Sequence, residues 1–118
     1  MLVKILKPDF THADERGRLV QLVHNGWNQV NVIHSKKNSE RGGHYHEFNT
    51  EAFYVISGSL KLLLNSGDVF EETTFKTGDM FLIGPKIKHS FTFIEDTCLI
   101  SMYDLGVELN NGTKDILQ

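Results

Sequence analysis

Short runs in which apolar and polar residues alternate, each closed by glycine, asparagine or proline, follow one another from about residue 18 to residue 103. Side chains alternate across a strand, so a period of two with frequent turn residues predicts an all-β sandwich or barrel. Residues 18–23 and 29–34 read as strands, separated by Asn25-Gly26, and the polar stretch 35–43 reads as a loop. His44 and His46 then open the next strand, and residues 52–56 continue the sheet. Ser57-Gly58-Ser59 predicts a tight hairpin to 60–64, and Asn65-Ser66-Gly67-Asp68 a second one to 69–75. Gly78-Asp79 turns the chain into the apolar run 80–83, which Gly84-Pro85 ends. In 89–94, His89, Phe91 and Phe93 share one face; 97–103 is the last strand, and the tail from Asn110 reads as an exposed end.

The chain has 118 residues, enough for one domain over 1–118 with a single core. Its composition, 40% hydrophobic and 23% charged, excludes a disordered or fibrous protein. A net charge of -3 with no Lys/Arg cluster argues against nucleic acid, since Lys36-Lys37 and Lys86 to Lys88 are too sparse to replace phosphate counterions. No apolar stretch is long enough for a membrane helix or a signal peptide, and the lone Cys98 has no disulfide partner, so a cytoplasmic protein without a membrane partner is expected.

His44-Tyr45-His46 followed by Glu51 brings together residue types that ligate first-row metals. On an extended strand His44 and His46 point to one face, and Glu51 returns after a short turn. His89 is the candidate fourth ligand. His12, His24 and His34 fit no spacing and read as surface residues, Arg16 as a turn residue held by Asp14, and Trp27 as a packing residue or dimer contact.

The pattern His44-x-His46-x4-Glu51-x6-Gly58 resembles the first motif of the cupin superfamily, small jelly-roll (double-stranded β-helix) barrels with a site in the barrel mouth. Gly78 and His89 have the separation of its second motif, with Lys86 where a glycine is usual; Asn38 stands where the first motif usually begins with glycine. Arg41-Gly42-Gly43-His44, Gly84-Pro85-x3-His89 and Asp14-x-Arg16-Gly17-x-Leu19 are similar to segments of cupins that act on nucleotide-linked keto-sugars. These are the dTDP-sugar 3,4-ketoisomerases, the 3,5-epimerases and the epimerase domains of capsular polysaccharide synthesis.

The resemblance implies a divalent ion, Zn, Mn, Fe or Ni, on His44, His46, Glu51 and His89. It also implies His44, His46 and Arg41 as catalytic residues, with Arg41 in a wide basic mouth as a fork for pyrophosphate. The function implied is epimerisation or ketoisomerisation of a nucleotide-activated sugar in polysaccharide biosynthesis. The alternatives are a non-catalytic small-molecule-binding cupin and a metal-dependent dioxygenase. Outward Tyr54 and Ile56 point to a homodimer that covers the outer face of the barrel.

Overall fold

β-branched and aromatic residues at alternate positions favour a pleated surface with one face buried. In the computed structural model, which describes residues 1–118, they form eleven strands. These are β1 (Val3–Leu6), β2 (Phe10–Asp14), β3 (Gly17–Gln21), β4 (Gln29–Ser35), β5 (Glu40–His44), β6 (Glu51–Ser57), β7 (Ser59–Ser66), β8 (Val69–Lys76), β9 (Met80–Ile83), β10 (Lys88–Phe93) and β11 (Thr97–Tyr103). A five-stranded sheet, β1-β9-β6-β11-β4, faces a four-stranded sheet, β5-β10-β7-β8, and β2 and β3 form a separate hairpin. The pairings are antiparallel, as expected of a cupin jelly roll. No helix is long and apolar enough to cross a membrane.

The core lies between the sheets. Phe53, Val55, Phe81, Ile83 and Leu99 of one sheet meet Leu60, Leu62, Leu64, Phe75, Phe91 and Phe93 of the other. Phe81 stacks between Phe53, at 5.0 Å, and Phe75, at 4.0 Å. A smaller cluster of Ala52, Met80 and Met102, with Trp27 and Tyr54 packed on it, covers part of the outer face of the five-stranded sheet. Trp27 is thus a packing residue, and Cys98, unpaired, is half-buried.

Four expectations need correction. β1 and β2 precede the region in which alternation is evident. Residues 40–43 are strand rather than loop, hidden by two glycines at positive φ, Gly42 and Gly43. Ser57-Gly58-Ser59 is no hairpin, because β6 and β7 belong to different sheets. Gly58 instead turns a corner where the chain passes between sheets, and a Cβ there would lie 2.5 Å from the Asp96 carbonyl oxygen. The tail is exposed only in part: Asp115 is 2% exposed.

Two departures from the cupin motifs fall at the same backbone conformation. Asn38 (φ 71°) and Lys86 (φ 67°) are the only non-glycine residues at positive φ. The left-handed turn that glycine ordinarily fills is kept at both positions, by side chains that strain it. At Lys86 the turn aims the backbone N–H at the His46 carbonyl oxygen, 2.6 Å away.

Candidate active site

The site residues arrive from three directions. His44 is the last residue of β5 and stands opposite His89, the second residue of β10. Gly42 permits this pairing, since a Cβ there would lie 2.7 Å from the His89 carbonyl oxygen and 2.9 Å from Ser90 Cα. Glu51 opens β6 beside Tyr103, the last residue of β11. His46 lies beyond β5, outside any strand and not on the continuous strand expected, yet its ring centroid is 5.1 Å from that of His44 and 5.3 Å from that of His89. His44, His46 and Glu51, with His89 from far along the sequence, therefore converge at one end of the barrel.

His46, Glu51 and His89 are almost fully buried. Each of the two buried histidines is tethered through Nδ1 to a backbone carbonyl: His46 donates to Asp115 at 2.6 Å and His89 to Ile87 at 3.0 Å. Their Nε2 atoms are thereby left for the site, which is how histidines that ligate metals are commonly held. His46 Nε2 lies 3.1 Å from Glu51 Oε1. A carbonyl and a carboxylate both accept, so in the metal-free site these contacts favour protonation of both His46 nitrogens. Burial alone would lower its pKa, but the Glu51 carboxylate and the Asp115 carbonyl outweigh burial and raise it. Burial would likewise raise the pKa of Glu51, and the hydrogen bond from His46 and the nearby His89 reverse this and lower it.

His44 behaves in the opposite way. Burial, together with His89 and His46, brings its pKa down to about 4, so it is neutral at pH 7. Burial and the Glu51 carboxylate push the Tyr103 phenol up, keeping it protonated. Tyr103 packs edge-on against His46 at 5.1 Å and was not singled out from the sequence, where it closes an apolar run and looks like core.

His89 Nε2 is buried and has no hydrogen-bond partner. Glu51 Oε1 lies 3.5 Å from it, long for a hydrogen bond though within reach of an ion pair. The nitrogens of His44, His46 and His89 lie within 4.8 Å of one another, and modest side-chain movement would bring them to a common ion. The residues fit a divalent metal: three imidazoles converge, one nitrogen is orphaned and a carboxylate adjoins them.

A cavity of about 350 Å³ opens onto His44, Glu51, His89 and Tyr103, with Arg41 and Glu40 at its rim and Phe53, Phe91 and Leu99 in its wall. Arg41 Nε donates to Ser35 Oγ at 2.9 Å, which orients the guanidinium and leaves its terminal amino groups without a protein partner. The rim is not the basic surface expected, because Glu40 lines it alongside Arg41. A hollow of about 400 Å³ on the outer side of the four-stranded sheet, against Leu63 and Phe70, reaches His89 but neither His44 nor Glu51. The barrel mouth is therefore the candidate site. Away from it, His12, His24 and His34 are exposed, and Arg16 holds the β2–β3 turn through Asp14 at 2.6 Å.

With this geometry established, comparison with known proteins places the chain. Residues 12–103 match the family model of the polysaccharide biosynthesis C-terminal domain. The chain belongs to this family. Among solved structures it is similar to a 3,4-ketoisomerase from Helicobacter canadensis, with TM-score 0.80 and 21% identity over 95% of this chain and 89% of the other. It is also similar to the TDP-quinovose 3,4-ketoisomerase WlaRB from Campylobacter jejuni, with TM-score 0.79 and 22% identity over 96% and 92% of the two chains. A third is QdtA, a sugar 3,4-ketoisomerase from Thermoanaerobacterium thermosaccharolyticum in complex with TDP (TM-score 0.75, 20% identity, 87% and 80% covered). At these identities the likeness establishes the cupin fold. No curated protein matches the chain in sequence.

Proposed function

We propose that this member of the polysaccharide biosynthesis family is an enzyme, an epimerase or ketoisomerase of a nucleotide-activated keto-sugar. The observation that carries the reading is geometric: the His44, His46 and His89 rings and the Glu51 carboxylate converge beside a cavity lined by His44, Glu51, His89 and Tyr103. There burial lowers the pKa of His44, while Glu51 and the Asp115 carbonyl, against burial, raise that of His46. A pair of titratable groups whose environments push them apart supplies a base and an acid at one pH. His44 takes the proton from the carbon next to the sugar carbonyl, and His46, with Tyr103 beside it, returns one. For ketoisomerisation it goes to the former carbonyl carbon, as the hydroxyl proton passes from the neighbouring oxygen to the former carbonyl oxygen; for epimerisation it goes to the same carbon from its other face. The single free guanidinium of Arg41 at the rim meets the pyrophosphate. The solved relatives named above as 3,4-ketoisomerases, one of them holding TDP, support the same substrate class.

His44, His46, Glu51 and His89 would hold a divalent ion, Zn, Mn, Fe or Ni, which when bound supplies Lewis-acid polarisation of a carbonyl. The orphaned His89 Nε2 supports this. The acid/base roles of His44 and His46 need no metal, and the His46–Glu51 contact favours that metal-free form, because a proton on His46 Nε2 stands where a metal would bind; the metal-loaded site is the second reading.

One experiment tests both. The protein is incubated in D₂O with dTDP- and UDP-linked 4-keto-6-deoxy sugars, once metal-loaded and once after chelation, and deuterium is sought at C3, C4 and C5. Incorporation is expected; its absence under both conditions overturns the reaction, and exchange that survives chelation overturns the metal's part in it.

The proposal extends to a homodimer. Val30, Val32 and Ile56 on the outer face of the five-stranded sheet are 59%, 59% and 42% exposed. The β2–β3 hairpin pairs with no other strand, and an isolated hairpin is only marginally stable in water. A second copy would cover both. Sedimentation should give twice the chain mass, reduced to one by Val32→Glu; a monomer for the unmodified chain overturns the dimer.

A further inference from the structure

The C-terminal segment from Asp104 to Gln118 lies outside the residues that match the family and contains no strand. It nevertheless closes on the site. The Asp115 carboxylate accepts three successive backbone N–H groups, from Glu47 at 2.7 Å, Phe48 at 3.1 Å and Asn49 at 2.9 Å, and a fourth hydrogen bond from Asn49 Nδ2 at 2.8 Å. Consecutive N–H groups turned toward one point make a concave anion seat, and Asp115 fills it from within the same chain. Asn49, fully buried, joins the segment again: its Oδ1 accepts from Leu105 and Gly106, and its Nδ2 donates to Gly106. Tyr45 and Leu117 exchange backbone hydrogen bonds in both directions.

All these ties grip residues 45–49, the stretch that carries His46 with no strand beneath it. Their product is one contact with the chemistry: the Asp115 carbonyl oxygen accepts a hydrogen bond from His46 Nδ1. His89 obtains the same tether from Ile87, two residues before it in its own chain segment. His46 has no such local acceptor and depends on a residue far along the sequence.

We propose that the segment from Asp104 to Gln118 is a strap that sets the His46 ring, with Asp115 as the positioning residue and Asn49 as its latch. The strap holds the proton on Nδ1 and turns Nε2 toward Glu51, which lines the cavity. The inference rests on His46 acting in the site through Nε2, as the proposed function has it.

The test is long-range ¹H–¹⁵N NMR of the histidine rings in the ligand-free protein, for the unmodified chain and for Asp115→Asn and Leu117→Pro. Asparagine keeps the shape but replaces one accepting oxygen with an NH2 that faces N–H donors, at Glu47 or at Phe48 and Asn49; proline removes one of the Tyr45–Leu117 hydrogen bonds at the strap's far end. The expected result is loss of the fixed Nδ1-protonated pattern at His46, with the His89 signals unchanged because the Ile87 tether is intact. Zn²⁺ affinity should also fall roughly tenfold, the usual effect of losing an outer partner of a ligand, and Asp115→Asn should add nothing further in a His46→Ala background. An unchanged His46 pattern in both variants overturns the proposal, and so does a change at His89 as large as that at His46, which would mean general loosening. If Asp115→Asn does not fold, Leu117→Pro carries the same comparison. Because the NMR result needs no substrate, a protein that exchanges no deuterium but shows the His46 change keeps the strap and loses the reaction.

Discussion

The two ends of the barrel are built from the same strands and held by different forces. β10 carries His89 at one end and Phe91 and Phe93 further along; β6 carries Glu51, then Phe53 and Val55. At the apolar end, stability comes from area removed from water and from stacked rings. At the mouth, buried histidines and carboxylates are costly unless each finds a partner, and partners are supplied by a bulge at His89, a turn at Lys86 and a tail from outside the sheets. The strands thus place the chemistry, and irregular backbone orients it.

Substitutions should separate the two ends. The largest effect is expected at Phe81, fully buried between Phe53 and Phe75: Phe81→Ala should cost about 4 kcal/mol in urea unfolding, through a cavity that loosens both ends together. Gly42→Ala should cost about 2 kcal/mol by clash and backbone strain, and its damage should be local. By pushing β5 away from β10 it should separate His44 from His89, so Zn²⁺ affinity should fall more than the midpoint of unfolding does.

Smaller again, since solvent screens a partly open group, is the pH dependence. The unfolded chain takes up a proton at His44 near pH 6.5 and the native protein only near 4, so stability should decline as pH is lowered across that window. His46 has the opposite sign: its raised pKa makes its contribution complete below pH 6.5 and lost as pH rises through the native value. Urea midpoints from pH 4 to pH 7 should show a flatter acid limb in His44→Gln; an identical limb would remove the assigned neutrality. The smallest effect should be a gain. Lys86→Gly relieves a left-handed side chain and should stabilise by about 1 kcal/mol, leaving the backbone hydrogen bond to His46 in place.

What could be read from the sequence follows the same division. The strand at 97–103 was legible to the residue, because alternation is a local signal. Glu40 to His44 was not, because glycines carry no pattern, and Gly58 was misread because a turn looks alike whether it joins neighbouring strands or crosses between sheets. Of the site, the three histidines and Glu51 were legible through spacing, and Arg41 through resemblance. Asp115 and Asn49 were not: each is a polar residue among polar residues, and what distinguishes them is a long-range partner. Tyr103 had the opposite difficulty, since at the end of an apolar strand it looks like core.

The strap has a consequence in time as well as in space. A chain is made in one direction, and Asp115 follows every strand of both sheets. Until it is made, all the barrel strands can exist while His46 lacks its Nδ1 acceptor. A chain that ended after Tyr103 would thus keep every strand of both sheets and lose the Nδ1 acceptor of His46, which separates the completion of the barrel from the completion of its site.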